Sequence, residues 1–161
     1  MRRLRVHAFT ISLIMGLAAA LIGLGDAHAA GIECGSVLGP GGVFVLDRDL
    51  TCPANDPDPT DDTPDTTPAL LVVRATLDLN GHTLTCGRRT VCIKIKGATL
   101  INGTVSGGLS DVGVRVTSNN LVRHVTVSHS LYALVIQGHH NLLVENTAMG
   151  SMNAGFQISE P

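Results

Sequence analysis

The residues of this chain that could do chemistry are few and widely spaced. In its regular part the carboxylates are Asp78, Asp111 and Glu145, with Arg115 and Arg123 among them. Hydrolysis of a glycosidic bond needs two carboxyl groups held together, one to donate a proton and one to attack or activate water. These three acids do not fall at equivalent positions of the 22-residue repeat described below, so no catalytic residue is assigned. Arg123 and Glu145 are 22 residues apart, which predicts an exposed ion pair on adjacent coils worth under about 1 kcal/mol. Arg115, Arg123 and Glu145 remain as candidate contacts to a glycan. His124, His129, His139 and His140 raise a metal site, but they lack a His-x-x-x-His pair and a supporting acid. No metal and no cofactor is expected. Stacking on a sugar needs aromatic rings, and only Phe44, Tyr132 and Phe156 lie beyond the N-terminal leader. Two of those three are expected in the core.

The four cysteines belong to a different chemistry. Residues 1–29 have the pattern of a secretory signal peptide: basic Met1-Arg2-Arg3-Leu4-Arg5, an uncharged apolar stretch from Ala8 to Leu24, and Ala27-His28-Ala29 before the cut. The apolar stretch is short for a membrane span and ends in small residues. Export to an oxidising compartment, the cell surface, periplasm or medium, makes disulfides the expected state of Cys34, Cys52, Cys86 and Cys92. No Cys-x-x-Cys spacing suggests zinc. Sequential pairing, Cys34–Cys52 and Cys86–Cys92, needs only short loops and is preferred.

These residues are carried on a repeat. Asn80, Asn102, His124 and Asn146 follow one another at intervals of 22 residues, within related phrases such as Ala75-Thr76-Leu77-Asp78-Leu79-Asn80-Gly81 and Ala98-Thr99-Leu100-Ile101-Asn102-Gly103. A period of about 20–25 residues marks stacked units that bury their apolar sides only against neighbours. Short runs recur with it: Leu71-Val72-Val73, Ile93-Lys94-Ile95, Val114-Arg115-Val116, Leu134-Val135-Ile136 and Phe156-Gln157-Ile158. Side chains alternate across a strand. With Lys94, Arg115 and Gln157 in water, the reading puts Leu71, Val73, Ile93, Ile95, Val114, Val116, Leu134, Ile136, Phe156 and Ile158 inside. Second strands are expected near Leu77, Leu100, Val122 and Val144, and third ones near Leu84, Val105, Val127 and Ala148. Amides at one turn of successive coils could form an asparagine ladder through Asn80, Asn102 and Asn146, interrupted by His124. With 2% aromatics and no Trp, the core must be aliphatic, which suits a narrow solenoid. A formal charge of −2 and no basic run beyond the N-terminus argue against nucleic acid as a partner.

Cys34-Gly35, Leu46-Asp47-Arg48-Asp49-Leu50-Thr51-Cys52, the segment from Ala75 to Cys86, and Ile101-Asn102-Gly103-Thr104-Val105 together resemble secreted right-handed parallel β-helix repeat proteins of the pectin-lyase-like superfamily. The resemblance covers residues 34–52 and 69–161 and implies an all-β, single-stranded right-handed parallel β-helix of about five coils. Residues 30–52 would be an N-terminal cap closed by a disulfide, and 69–161 the coils. Residues 53–68, rich in Asp, Pro and Thr, read as a disordered acidic insertion that lacks the order of a calcium loop. Enzymes of the superfamily act mostly on acidic polysaccharides, but the Asp-Pro-His-Glu motif of related epimerases is absent. The resemblance therefore implies a scaffold: an exported non-catalytic module, structural or glycan-binding. The alternative is a partial or degenerate polysaccharide lyase or hydrolase with catalytic coils beyond Pro161. Family members usually run on for several coils and then cap, so the reading expects a shortened chain that self-associates through an uncapped last rung.

Overall fold

The computed structural model describes residues 27–28, 31–54, 67–88, 91–107 and 111–159. The described residues are all β and contain no helix. In chain order the strands are β1 Ala27–His28, β2 Val37–Leu38, β3 Val43–Val45, β4 Leu50–Cys52 and β5 Leu70–Val73. Then come β6 Thr76–Asp78, β7 Thr83–Cys86, β8 Val91–Lys96, β9 Thr99–Ser106 and β10 Val112–Val116. The last are β11 Leu121–Ser128, β12 Tyr132–Gln137, β13 Leu142–Val144, β14 Thr147–Met149 and β15 Ala154–Ser159. Residues 1–26, most of the expected leader, and 55–66, most of the acidic insertion, lie outside the described residues.

The strands stack into a parallel β-solenoid. One wall is a six-stranded sheet in the order β15-β12-β10-β8-β5-β2. A nine-stranded sheet forms the rest, running β1-β3-β6-β9-β11-β13 with β4, β7 and β14 on its second arm. β9 and β11 belong to both arms because each bends once, at Asn102 and His124, where φ is 58° and 54°. The left-handed conformation turns the chain a corner without a loop, and Asn and His tolerate it better than β-branched residues do. Five successive strands of the six-stranded wall, β5 to β15, bound about four turns.

Inside, aliphatic side chains lie over one another in columns. Leu70, Ile93, Val114 and Leu134 occupy one register position and are fully buried. Leu77, Leu100 and Val122 form a second column, and Leu84, Val105 and Val127 a third. Each such side chain contributes about 1.5–3 kcal/mol by leaving water. The interior is narrow enough that Gly113 cannot be enlarged, since a Cβ there would collide with Val127.

Two expectations about this register need correction. In β5 it is Leu70 and Val72 that face inward, beside Ile93 and Ile95, while Leu71 and Val73 stand on the outer side. The interval from Leu70 to Ile93 is one residue longer than the repeat, and a one-residue slip exchanges the faces of a strand. Phe156 and Ile158 do align with Leu134 and Ile136, but they are 49% and 82% exposed. No further strand lies over them among the described residues.

Both disulfides join the expected partners, Cys34 to Cys52 and Cys86 to Cys92. Cys52 and Cys86 sit side by side in register, yet each bonds away from the other. The first bridge closes the chain around β2 to β4, and the second ties β7 to the start of β8. β1, which falls in the expected leader, pairs in parallel with β3.

Candidate functional site

The outer face of the six-stranded wall carries a cleft of about 480 Å³ lined by residues of β10, β12 and β15. Its floor is apolar. Val91, Val112 and Val135 form a small buried cluster apart from the main core, with Tyr132 packed against it. Alternation from the inward Leu134 and Ile136 places Val135 on this outer face, in one row with Lys94, Arg115 and Gln157. Gln137 and Ser159 form the next row, and Asp111 stands at the mouth.

The polar groups here are placed without being used up. Arg115 is half-buried, and its Nε is shielded from solvent without a hydrogen-bond partner. Tyr132 is held at its tip, where its hydroxyl accepts from Asn153 Nδ2, and at its backbone, where its N–H donates to the Asp111 carbonyl. A ring and valine methyl groups flanked by two carboxamides, a hydroxyl and a guanidinium can accept the apolar face of a pyranose and its hydroxyls.

No family model, curated protein or solved structure matches this chain. The site is therefore read from its own chemistry.

Of the three candidate glycan contacts, the structure brings only Arg115 into this cleft. Arg123 and Glu145 lie on the other sheet, and they do not form the expected pair. The β11–β13 register places Arg123 beside Val144, so Glu145 falls opposite His124 and bonds to its Nε2. The coil between them is 21 residues long rather than 22.

The same shift separates the four residues at 22-residue intervals. Asn80, Asn102, His124 and Glu145 have positive φ, while Asn146 is one residue past the corner. Asn80 Nδ2 donates to the Leu46 carbonyl and Asn102 Nδ2 to Asp78 Oδ1, at 3.4 and 3.2 Å. Asn146 Nδ2 donates to the Val122 carbonyl, and its Oδ1 accepts from the Val125 N–H.

A direct amide-to-amide link occurs at another corner, between Asn120 and Asn141. Asn120 is buried; its Oδ1 accepts from the Ala98 N–H at 2.9 Å, and its Nδ2 donates to Asn141 Oδ1 at 3.0 Å. The Asn120 N–H donates to that same oxygen.

A second His–carboxylate contact joins His82 Nδ1 to Asp49 Oδ1 at 3.4 Å. The Asp49 carboxyl is held below its usual value, chiefly because it accepts the Thr83 backbone N–H and secondarily because of His82. The His139 and His140 rings meet edge to face. Among the described residues no three His, Cys, Asp or Glu side chains gather as metal ligands would.

Proposed function

We propose that this protein is an exported, non-catalytic β-solenoid module of the pectin-lyase-like superfamily that binds a glycan on the outer face of its six-stranded wall. The observation that carries the reading is the cleft floored by Tyr132, Val112 and Val135 and rimmed by Arg115, Gln137, Gln157 and Ser159. Its polar groups come from three successive coils, about 10 Å across, which is room for one or two sugar rings of a chain running along the solenoid. The two disulfides and the leader-like residues 1–29 support a location outside the cytoplasm.

A screen of soluble polysaccharides, followed by calorimetry on the best binder, tests this. Tyr132→Ala is expected to weaken binding by about two- to tenfold, the scale of one stacked ring, and Gln157→Ala by less. A screen without a binder, or a binder indifferent to both changes, overturns the reading.

A second reading, a partial or degenerate polysaccharide lyase or hydrolase, is favoured by one feature: Asp111 and Arg115 line the same cleft. A lyase needs a base beside the sugar, an Arg or Lys acting in its neutral form, and carboxylates that hold a cation to neutralise the uronate. Release of unsaturated uronides from pectate or alginate, abolished by Arg115→Ala, would establish that reading over the first.

A further inference from the structure

The corner between the six-stranded wall and the next wall runs along the solenoid through Gly41, Arg74, Gly97, Asn119 and His140, one position per coil and each with positive φ. It holds a second cleft, of about 440 Å³, lined by Arg74, Lys96, Gly97, Thr117, Ser118 and Asn119. Every charged group in the lining is a cation. The six described acidic residues, Glu33, Asp47, Asp49, Asp78, Asp111 and Glu145, all lie elsewhere. Neither Arg74 nor Lys96 forms an ion pair among the described residues.

The backbone builds this concavity. Arg74, Gly97 and Asn119 all have positive φ, at 49°, 59° and 62°, so three successive coils turn here in the same way. The missing side chain of Gly97 leaves room for the Arg74 stem, whose Cγ would lie 3.4 Å from a Cβ at that position. Of the remaining polar side chains, Thr117 donates its hydroxyl to the Ile95 carbonyl, and Ser118 and Asn119 keep donors to spare. Ser118 Oγ accepts from the His139 N–H, which leaves its own proton to donate. The Asn119 carboxamide has no hydrogen-bond partner among the described residues.

We propose that this corner is an oxyanion site: Arg74, Lys96, Ser118 and Asn119 bind a phosphate or sulfate group, free or carried on a polymer. A guanidinium offers a planar fork of donors, an ammonium a point charge, and the hydroxyl and carboxamide fix orientation. The site is distinct from the sheet cleft and does not depend on its ligand.

The test uses the ¹⁵N-labelled disulfide-bonded chain, titrated with inorganic phosphate and, separately, sulfate at low ionic strength. A saturable shift confined to the amides of Gly97, Ser118 and Asn119 is expected. Arg74→Gln and Lys96→Gln should each weaken binding by at least about fivefold, with Arg74→Lys in between, while Arg48→Gln on a distant turn should change nothing. Dextran sulfate and a phosphorylated polysaccharide distinguish the sources. Binding at least about tenfold tighter than the inorganic anion, lost in the same variants, assigns a polymer-borne group. Equal affinity assigns the free anion. Shifts spread over all basic residues, or an affinity unchanged in both the Arg74 and Lys96 variants, would overturn the site.

Discussion

Asn120 is a residue whose work no neighbour can take over. Its carboxamide satisfies the Ala98 N–H above and bonds Asn141 below, in a corner sealed from water. Asn120→Ala leaves the Ala98 N–H and the Asn141 amide oxygen without that partner, and a buried group left unpaired costs about 1–3 kcal/mol. Urea melts should show a loss in that range, whereas Asn119→Ala, on the exposed side of the same turn, should be near neutral. Val114 and Arg115 make a sharper contrast. Val114 is fully buried, so Val114→Asp introduces an unpaired carboxylate into the core and should cost about 4 kcal/mol or more. Arg115→Gln, one residue on but facing the outer cleft, should cost about 1 kcal/mol or less; similar losses for the two would contradict the register. Asp49 adds a pH dependence. Its carboxyl is depressed in the folded state, so its contribution is complete above the unfolded value and is lost as pH falls through the folded one. Melting temperatures of the parent and of Asp49→Asn should therefore differ most at neutral pH and converge in acid, below about pH 4.

At the scale of strands and corners, the disulfides act where the stack has least to lean on. The Cys34–Cys52 bridge spans 18 residues and the Cys86–Cys92 bridge 6, for which the chain-entropy model gives about 3 and about 2 kcal/mol. Cys34→Ser with Cys52→Ser should lower stability more than Cys86→Ser with Cys92→Ser, as chemical denaturation would show; the reverse order would mean that strain, not loop length, decides. The pairing was legible in the sequence because the expectation of export and the short loops both pointed to it. The position of the turn at Asn80, Asn102 and His124 was legible too, because these residues follow one another at 22-residue intervals. The amide link at Asn120 was not, since Ala75 and Ala98 hold that place in earlier coils and Asn recurs there only once, as Asn141 after 21 residues. Likewise a longer interval hid the inward set of β5, and a shorter one moved Glu145 into the corner where Asn146 was expected. Of the outer cleft, the recurring runs marked only the outward row that holds Arg115 and Gln157. The rest is assembled by register, from residues such as Asp111 and Tyr132 that share no sequence pattern.

For the molecule as a whole, each turn meets only the turns before and after it, so stability should vary along the axis as it does in a one-dimensional array. The exposures already show the gradient. Leu134 and Ile136 are 0% and 8% exposed, and their register partners in the next strand, Phe156 and Ile158, 49% and 82%. Leu142, Met149 and Met152, in the same final turn, are each more than half exposed. A side chain still in water contributes little when removed, so Ile158→Ser should cost about 0.5 kcal/mol or less, and Ile136→Ser about 2–4 kcal/mol, although both occupy one register position. Backbone amides should follow the same order. Hydrogen exchange on the disulfide-bonded chain is expected to be slowest in β8 and β10, which have a buried strand on either side, and fastest in β13, β14 and β15. Protection that is even from β5 to β15 would mean that the turns open as one cooperative block, and nearest-neighbour stacking would then be the wrong account of what holds this solenoid together.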